Sequence, residues 1–295
     1  MTETAERTFQ EVFTRCHAHG RRWDEGLWRY FEVLAVKRLL AEDARLARGP
    51  ILDVGCGDGE LFGWVFGRRR DAVGVDSCDT WDDDVASARE RGIYGEVSKE
   101  DARALSFPDG RFALVFSNSV VEHVDGVEQL IAEAHRVLRP GGALIFTTPD
   151  PRLYEAPAYE WSRVLAPLGL GALGRVMARR ECREYRHVSM HGSEEWGVML
   201  ESAGLERVHV RTYMPLSAAR AMTRFSGPSR MPCLRKLASL TSAEARQLSS
   251  TRGSGRDEWV ARARRVLDPL LREEVPEGGA GLGLLLVARK AGAAQ

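Results

Sequence analysis

The segment Ile51-Leu52-Asp53-Val54-Gly55-Cys56-Gly57-Asp58-Gly59 holds the densest chemistry in the chain. A short apolar run, an embedded acid and three alternating glycines read as a strand, a tight turn and a helix start. Glycine lets backbone approach a ligand without a Cβ in the way, and lets the turn visit positive φ. Leu61, Phe62, Val65 and Phe66 follow at helical spacing. The rival pattern is the dinucleotide fingerprint GxGxxG. Here Glu60 stands where its third glycine would fall. Asp53 and Asp58 would repel a pyrophosphate, whereas a carboxylate beside the turn suits an α-amino group. The pattern therefore predicts a ligand with a cationic amino-acid part and disfavours a dinucleotide-dependent oxidoreductase. Ala72-Val73-Gly74-Val75-Asp76 ends in an acid 17 residues after Gly59, where a carboxylate can accept both hydroxyls of a ribose.

These features, with three further segments, resemble the class I S-adenosylmethionine-dependent methyltransferases. The likeness is to their type 11 group, which includes ubiquinone and menaquinone biosynthesis enzymes. The resemblance covers about Pro50–Pro149 closely and Ser193–Tyr213 loosely. It implies S-adenosylmethionine as cofactor and S-adenosylhomocysteine as product. Asp53, Gly55, Cys56 and Gly57 would hold the amino-acid end, and Asp76 with Ser77 the ribose. In Asp101-Ala102-x-x-Leu105-x-Phe107-Pro108-Asp109-Gly110, Asp101 would accept the adenine amine and the Ala102 backbone would touch the ring. Trp81 could flank the adenine. Ala113 departs from the family's usual aspartate, which implies a structural cost and no lost chemistry. Ser117 would face the methionine moiety, largely through its carbonyl.

Glu122 and His123 follow, beside the expected sulfonium. Histidine titrates near neutrality, so His123 is the candidate general base for an acceptor hydroxyl or amine; Glu122-His123 could equally only shape the pocket. Glu122, His187, His191 and Trp28 are candidate acceptor contacts, against capping, solvent exposure or ordinary packing. A metal would need a third ligand, none is evident, and no metal is expected.

Elements of the right kind surround these residues. Strands are expected at 51–54, 72–76, 93–97, 112–117, 143–148, 205–213 and 281–289. Val120–Leu138 reads as one helix, from apolar residues at 3–4 spacing, stopped by Arg139-Pro140-Gly141-Gly142. A further helix is expected at Ser193–Ala203, between Gly192 and Gly204. Strand–helix alternation predicts a doubly wound, mostly parallel seven-stranded α/β sheet, Rossmann-like. Residues 1–49 are expected as an N-terminal helical cap, including a helix over Trp23–Leu46, and 50–295 as the core. Connections of about 2–6 residues are usual, so 149–192 and 214–280 read as inserts that serve as lids or substrate elements. The second holds 12 Arg or Lys against 7 Asp or Glu, which hints at an acidic acceptor or merely at solvated helix faces. Thr251–Gly255 reads as a flexible turn.

Composition bounds the rest. The 295 residues carry a formal net charge of +0, which announces neither a nucleic-acid nor a membrane partner. Five cysteines are scattered without a CxxC pair, so a zinc knot or disulfide framework is not expected. The polar start resembles no secretory signal, and a cytoplasmic enzyme with a small-molecule acceptor is expected. The acceptor atom is open between O, N and C. A non-methylating S-adenosylmethionine enzyme or a cofactor-binding regulatory protein is the alternative.

Overall fold

β1 (Ile51–Val54) is buried at all four positions and pairs in parallel with β2 (Arg69–Asp76) on one side and β4 (Phe112–Asn118) on the other. β3 (Tyr94–Lys99) extends the sheet beyond β2, and β5 (Leu138–Pro149) beyond β4, both parallel. β7 (Gly283–Lys290) runs antiparallel to β5, and β6 (Leu205–Tyr213) completes the order β3-β2-β1-β4-β5-β7-β6. The expected doubly wound, mostly parallel sheet is thus present. This computed structural model describes the chain apart from residues 20–22, 77–81, 156–160, 162–164, 185, 227–254, 277–278 and 293–295. The expectations for Ser77 and Trp81, and most of the proposed turn at 251–255, lie outside the described residues.

By internal contacts the chain divides into two compact units. Ala35–Asp150, His187–Arg211 and Gly283–Gln295 make the first. Its core joins Leu52, Val54, Val73 and Val75 to Phe112, Val115, Leu144 and Phe146 from the sheet. α3 (Glu60–Phe66) and α4 (Asp82–Arg91) connect the first three strands. α5 (Val127–Val137) buries Val127, Leu130, Ile131, Ala134 and Val137, the stripe that its sequence spacing announces. It is shorter than the expected helix at 120–138. Gly126 takes φ 74 at its N-cap, and Val121–His123 form a separate 3₁₀ turn. Arg139–Gly142 does not end β5's pairing but bulges: Phe112 and Leu114 of β4 face Leu138 and Ala143.

Met1–Leu34, Pro151–Arg186 and Thr212–Leu282 make the second unit, which thereby collects the N-terminal segment and most of both inserts. Its described elements are helical. α1 (Glu3–Ala18) buries Phe9, Val12, Phe13 and Cys16. The inserts contribute α6 (Gly171–Glu184), α8 (Leu216–Ser226) and α9 (Arg256–Leu271). Phe13 packs on Trp259 of α9 at 6.0 Å between centroids, and Arg264 pairs with Glu6 at 3.3 Å. α2 (Trp23–Glu42) contributes residues to both units, and stops short of the expected Leu46, where the Asp43 carboxylate accepts from Arg45 N–H and a 3₁₀ turn begins.

α7 (Ser193–Ser202) belongs to the sheet unit. Its Trp196 is fully buried and meets Phe146 of β5 edge-on at 5.1 Å. Gly192 is its N-cap, and Glu195 reaches back to accept the Gly192 N–H at 2.9 Å.

α5 also holds the loop that follows β3. The Arg136 guanidinium donates to the carbonyls of Leu105 and Phe107 at 2.9 and 2.7 Å, and pairs with Glu133 and Asp109. Glu133 in turn accepts from Leu105 N–H at 2.9 Å. A charged hydrogen bond contributes roughly 1.5–3 kcal/mol, and Arg136 is partly exposed, so the lower end applies. Arg136→Ala should therefore cost about 2 kcal/mol in chemical denaturation. Amide exchange should speed up at 105–110 before it does in the sheet.

Candidate functional site

The turn between β1 and α3 is held by the end of β2. The Val75 carbonyl accepts from both Gly55 and Cys56 N–H, at 2.8 and 3.0 Å, and the Asp76 carboxylate accepts from Gly57 N–H at 3.0 Å. A Cβ at Gly55 would overlap the Val120 side chain, and one at Gly59 would lie 2.8 Å from Tyr94 Cε2. Gly57 differs: its φ is 50°, and a Cβ there would meet nothing within 4 Å. The backbone at Gly57 thus borders open space, as a cradle for a ligand requires. Cys56 is buried in this turn, and burial pushes its thiol well above the usual range, so it is an inert wall and no nucleophile.

Asp53 lies under the turn, 4% exposed, and accepts from the Tyr94 hydroxyl at 2.5 Å. Burial raises its pKa to about 7, partly offset by the Tyr94 hydrogen bond and reinforced by Asp76. Tyr94 is itself buried and packs on Phe62 at 4.8 Å. Nothing in the local sequence links positions 94 and 53. The fold does so because β3 lies two strands from β1 with Gly74 of β2 between them, where a Cβ would press on Tyr94 at 3.1 Å.

The other acids have arginine partners. Asp58 caps Glu60 N–H and pairs with Arg91 at 3.5 Å. Its charge is partly neutralised, so it argues less against a pyrophosphate than its position in the sequence suggests. Asp101 is about half exposed, accepts from Arg103 N–H at 2.9 Å and pairs with the Arg103 guanidinium at 2.8 Å. Ala102, beside it, is buried in the core. Ala113 is buried too, and its N–H donates to Pro50 O at 2.8 Å, a place where an aspartate would be desolvated.

The ends of β4 and β5 carry further groups. Ser117 is buried and its hydroxyl donates to Val54 O at 3.1 Å, which spends the side chain on joining β4 to β1. Asn118 and Thr148 were given no role on sequence grounds. Among the described residues, both side-chain polar atoms of Asn118 and the Thr148 hydroxyl are buried without a hydrogen-bond partner. Such atoms at the carboxyl ends of parallel strands are open to partners from a ligand or from water.

The 3₁₀ turn at Val121–His123 brings Glu122 and His123 to the same rim. Glu122 is 2% exposed and His123 is exposed. Of the two histidines near α7, His187 joins this pair. Its ring meets that of His123 at 5.0 Å, and ligand atoms of Glu122, His123 and His187 all lie within 4.8 Å of one another. Burial, then the neighbouring His123, pushes His187 down to about 4, so it is a neutral imidazole near pH 7. His191 instead packs edge-on to Trp196 at 5.1 Å and lies 3.6 Å from Glu195, at the start of α7. Trp28 belongs to the helical unit, where it meets Tyr213 at 5.7 Å.

A family model described as a methyltransferase domain, type 11, matches residues 52–146. This segment resembles a methyltransferase domain. Asp53, the glycine turn, Asp76, Asp101, Ser117, Glu122 and His123 all fall inside it; His187 does not. Across 112 residues the chain is 33% identical to a malonyl-[acyl-carrier protein] O-methyltransferase of Enterobacter lignolyticus, which spans 36% of this chain and 43% of that protein. It is 34% identical over 127 residues to a fatty-acid O-methyltransferase of Mycolicibacterium smegmatis, 42% of this chain and 45% of the relative. A ubiquinone/menaquinone biosynthesis C-methyltransferase of Desulfotalea psychrophila is 27% identical over 63% of this chain and 75% of its own length. The chain thus spans less than half the length of the first two. A solved structure from Thermotoga maritima, described as an S-adenosylmethionine-dependent methyltransferase and possible histamine N-methyltransferase, superposes with a TM-score of 0.54. It covers 96% of this chain and 99% of its own at 19% identity, and so shares the fold.

Asp53 is the measurable signature of this site. Its carboxyl should titrate near pH 7 by ¹³C NMR, about three units above the free side chain. Tyr94→Phe removes the hydrogen bond that favours the charged form, so the midpoint should move higher. The fold favours the protonated acid. Its stabilising contribution is therefore full below the unfolded value of about 3.9 and lost as pH rises through about 7. A midpoint near 4 in the wild-type protein would contradict this geometry.

Proposed function

We propose that this chain is an S-adenosylmethionine-dependent methyltransferase that moves a methyl group to O, N or C of a small molecule. The observation that carries this reading is the open cradle at Gly57 together with the unpartnered Asn118, both inside the matched segment, and the unpartnered Thr148 just beyond it. The residues fit the cofactor: Asp53 under the turn suits an ammonium group, and Asp76 at the β2 end suits ribose hydroxyls. When bound, the cofactor supplies a methyl already activated on a sulfonium. The protein then has to orient the acceptor, exclude water and handle one proton. Exposed His123 is the group that takes this proton. Asp101 serves the adenine amine through the face not spent on Arg103, with Ala102 alongside.

Acceptor choice is assigned to the N-terminal segment and the two inserts, which lie outside the matched segment. Trp28, His187 and His191 are its candidate contacts. Leu168, Leu170, Leu173 and Val176 of the first insert are exposed apolar side chains. They favour an acceptor with an apolar part, such as a lipid precursor, over a bare sugar, and the acyl acceptors named for two relatives point the same way. Among the described residues no helix is long and apolar enough to cross a membrane. We place the enzyme in the cytoplasm, as its scattered cysteines without a CxxC pair suggest.

Calorimetry should show binding of S-adenosylhomocysteine and none of NAD. The affinity should rise with pH up to about 7, because the ammonium group prefers the ionised form of Asp53. Mass spectrometry of acyl and phenolic candidates should show the gain of one methyl. His123→Asn should lower kcat by about 10²–10⁴ with cofactor affinity kept. Binding of NAD alone would overturn the reading, and a mass gain other than one methyl would favour a non-methylating enzyme.

A further inference from the structure

We propose that Glu122, His123 and His187 form a binding site for one divalent first-row transition-metal ion. This departs from the sequence expectation, which lacked a third ligand. The third ligand comes from 64 residues away, and backbone hydrogen bonds put it there. The Glu122 carbonyl accepts from both Val188 and Ser189 N–H, at 2.8 and 3.0 Å. The Ser189 hydroxyl donates to Val124 O at 2.7 Å. The segment carrying His187 is thus clipped on both sides of His123, and all members belong to the sheet unit.

The donor set fits the chemistry. Two imidazole nitrogens and one carboxylate oxygen are a ligand set of catalytic zinc and of related iron sites, which leave positions open. Nitrogen ligands select transition ions over magnesium and calcium, which prefer all-oxygen shells. Donors bound at about 2.1 Å in a tetrahedron are roughly 3.4 Å apart. The ligand atoms now lie within 4.8 Å of one another, and binding requires them to close toward that spacing. Glu122 is the buried member, so the ion would meet a carboxylate already held away from water, and His123 is the member that solvent reaches. The open positions face that side and would take water or an acceptor heteroatom. In the ion-free protein the His123 lone pair serves as a base; with the ion bound it serves as a ligand, and the cation's charge would favour loss of the acceptor's proton. That last role rests on the methyl-transfer reading, whereas the binding claim stands on geometry alone.

The full chain, stripped with a chelator and dialysed, is titrated with Co²⁺ in the absence of cofactor. One equivalent should bind, with a ligand-field band in the visible. Loss of groups that merely support a ligand costs ten- to hundredfold in affinity, so His187→Gln and His123→Gln should each weaken binding by at least about a hundredfold. His135→Gln, on α5, should leave it unchanged. If either variant folds poorly, the unaltered protein still decides: its Co²⁺ form should show hyperfine-shifted N–H signals from two imidazoles by ¹H NMR. Absence of stoichiometric uptake, or uptake undiminished by both substitutions, overturns the proposal. S-adenosylhomocysteine binding measured separately keeps a failure of the metal site distinct from a failure of the methyltransferase reading.

Discussion

The Val75 carbonyl accepts two consecutive N–H groups, from Gly55 and Cys56, and the Asp76 carboxylate takes the next, from Gly57. A carbonyl has two lone pairs and can do this without loss. The end of β2 therefore satisfies three successive donors that the end of β1 leaves unpaired. Everything at the site follows from that clamp. It fixes where the chain leaves β1, and it places the Gly57 backbone against open space. It also couples the Asp76 carboxylate to the glycine turn. A ligand that recruits Asp76 would share that carboxylate with Gly57 N–H.

The strands were legible because each is a short apolar run between turn residues, and burial on both faces demands that composition. Their ends were less legible. Arg69 and Arg70 begin β2 although neither is apolar, because strand pairing with β3 reaches beyond the buried stretch. The acids of the site were legible as positions but not as charges. Asp58 and Asp101 look equivalent to Asp53 in the sequence, yet Arg91 and Arg103 accompany the first two while Asp53 has a phenol and a buried setting. Sequence spacing counts carboxylates. Arg103 lies two residues from Asp101, but Arg91 and Tyr94 reach Asp58 and Asp53 only through the fold.

Helical periodicity misled at Val120–Val124, for a physical reason. Val120, Val121 and Val124 continue the apolar stripe of α5, so the pattern reads through. Gly126 at φ 74 breaks the backbone all the same. Had the helix run through, the Glu122 carbonyl would accept from the N–H four residues on. The 3₁₀ turn releases that carbonyl, and the segment at Val188 and Ser189 takes it. The apolar stripe thus records burial, which both conformations satisfy, while the turn geometry decides what the loop before α7 can dock on. No residue at 187–189 announces this in the sequence, since the contact is made through backbone.

The three glycines of the motif show the same division between what a pattern records and what causes it. Read as a group, they serve ligand approach. In the structure, Gly55 is small because Val120 fills the space of its Cβ, and Gly59 because Tyr94 does. Only Gly57 of the three faces open space, so no side chain of the protein accounts for it, only its φ of 50°. Tyr94 in turn needs Gly74 beneath it to reach Asp53, and that reach keeps the buried acid hydrogen-bonded. Two of the motif's small residues therefore serve the protein's own packing. By the same argument, Gly57 is the one position of this turn whose open space the protein's own packing does not fill.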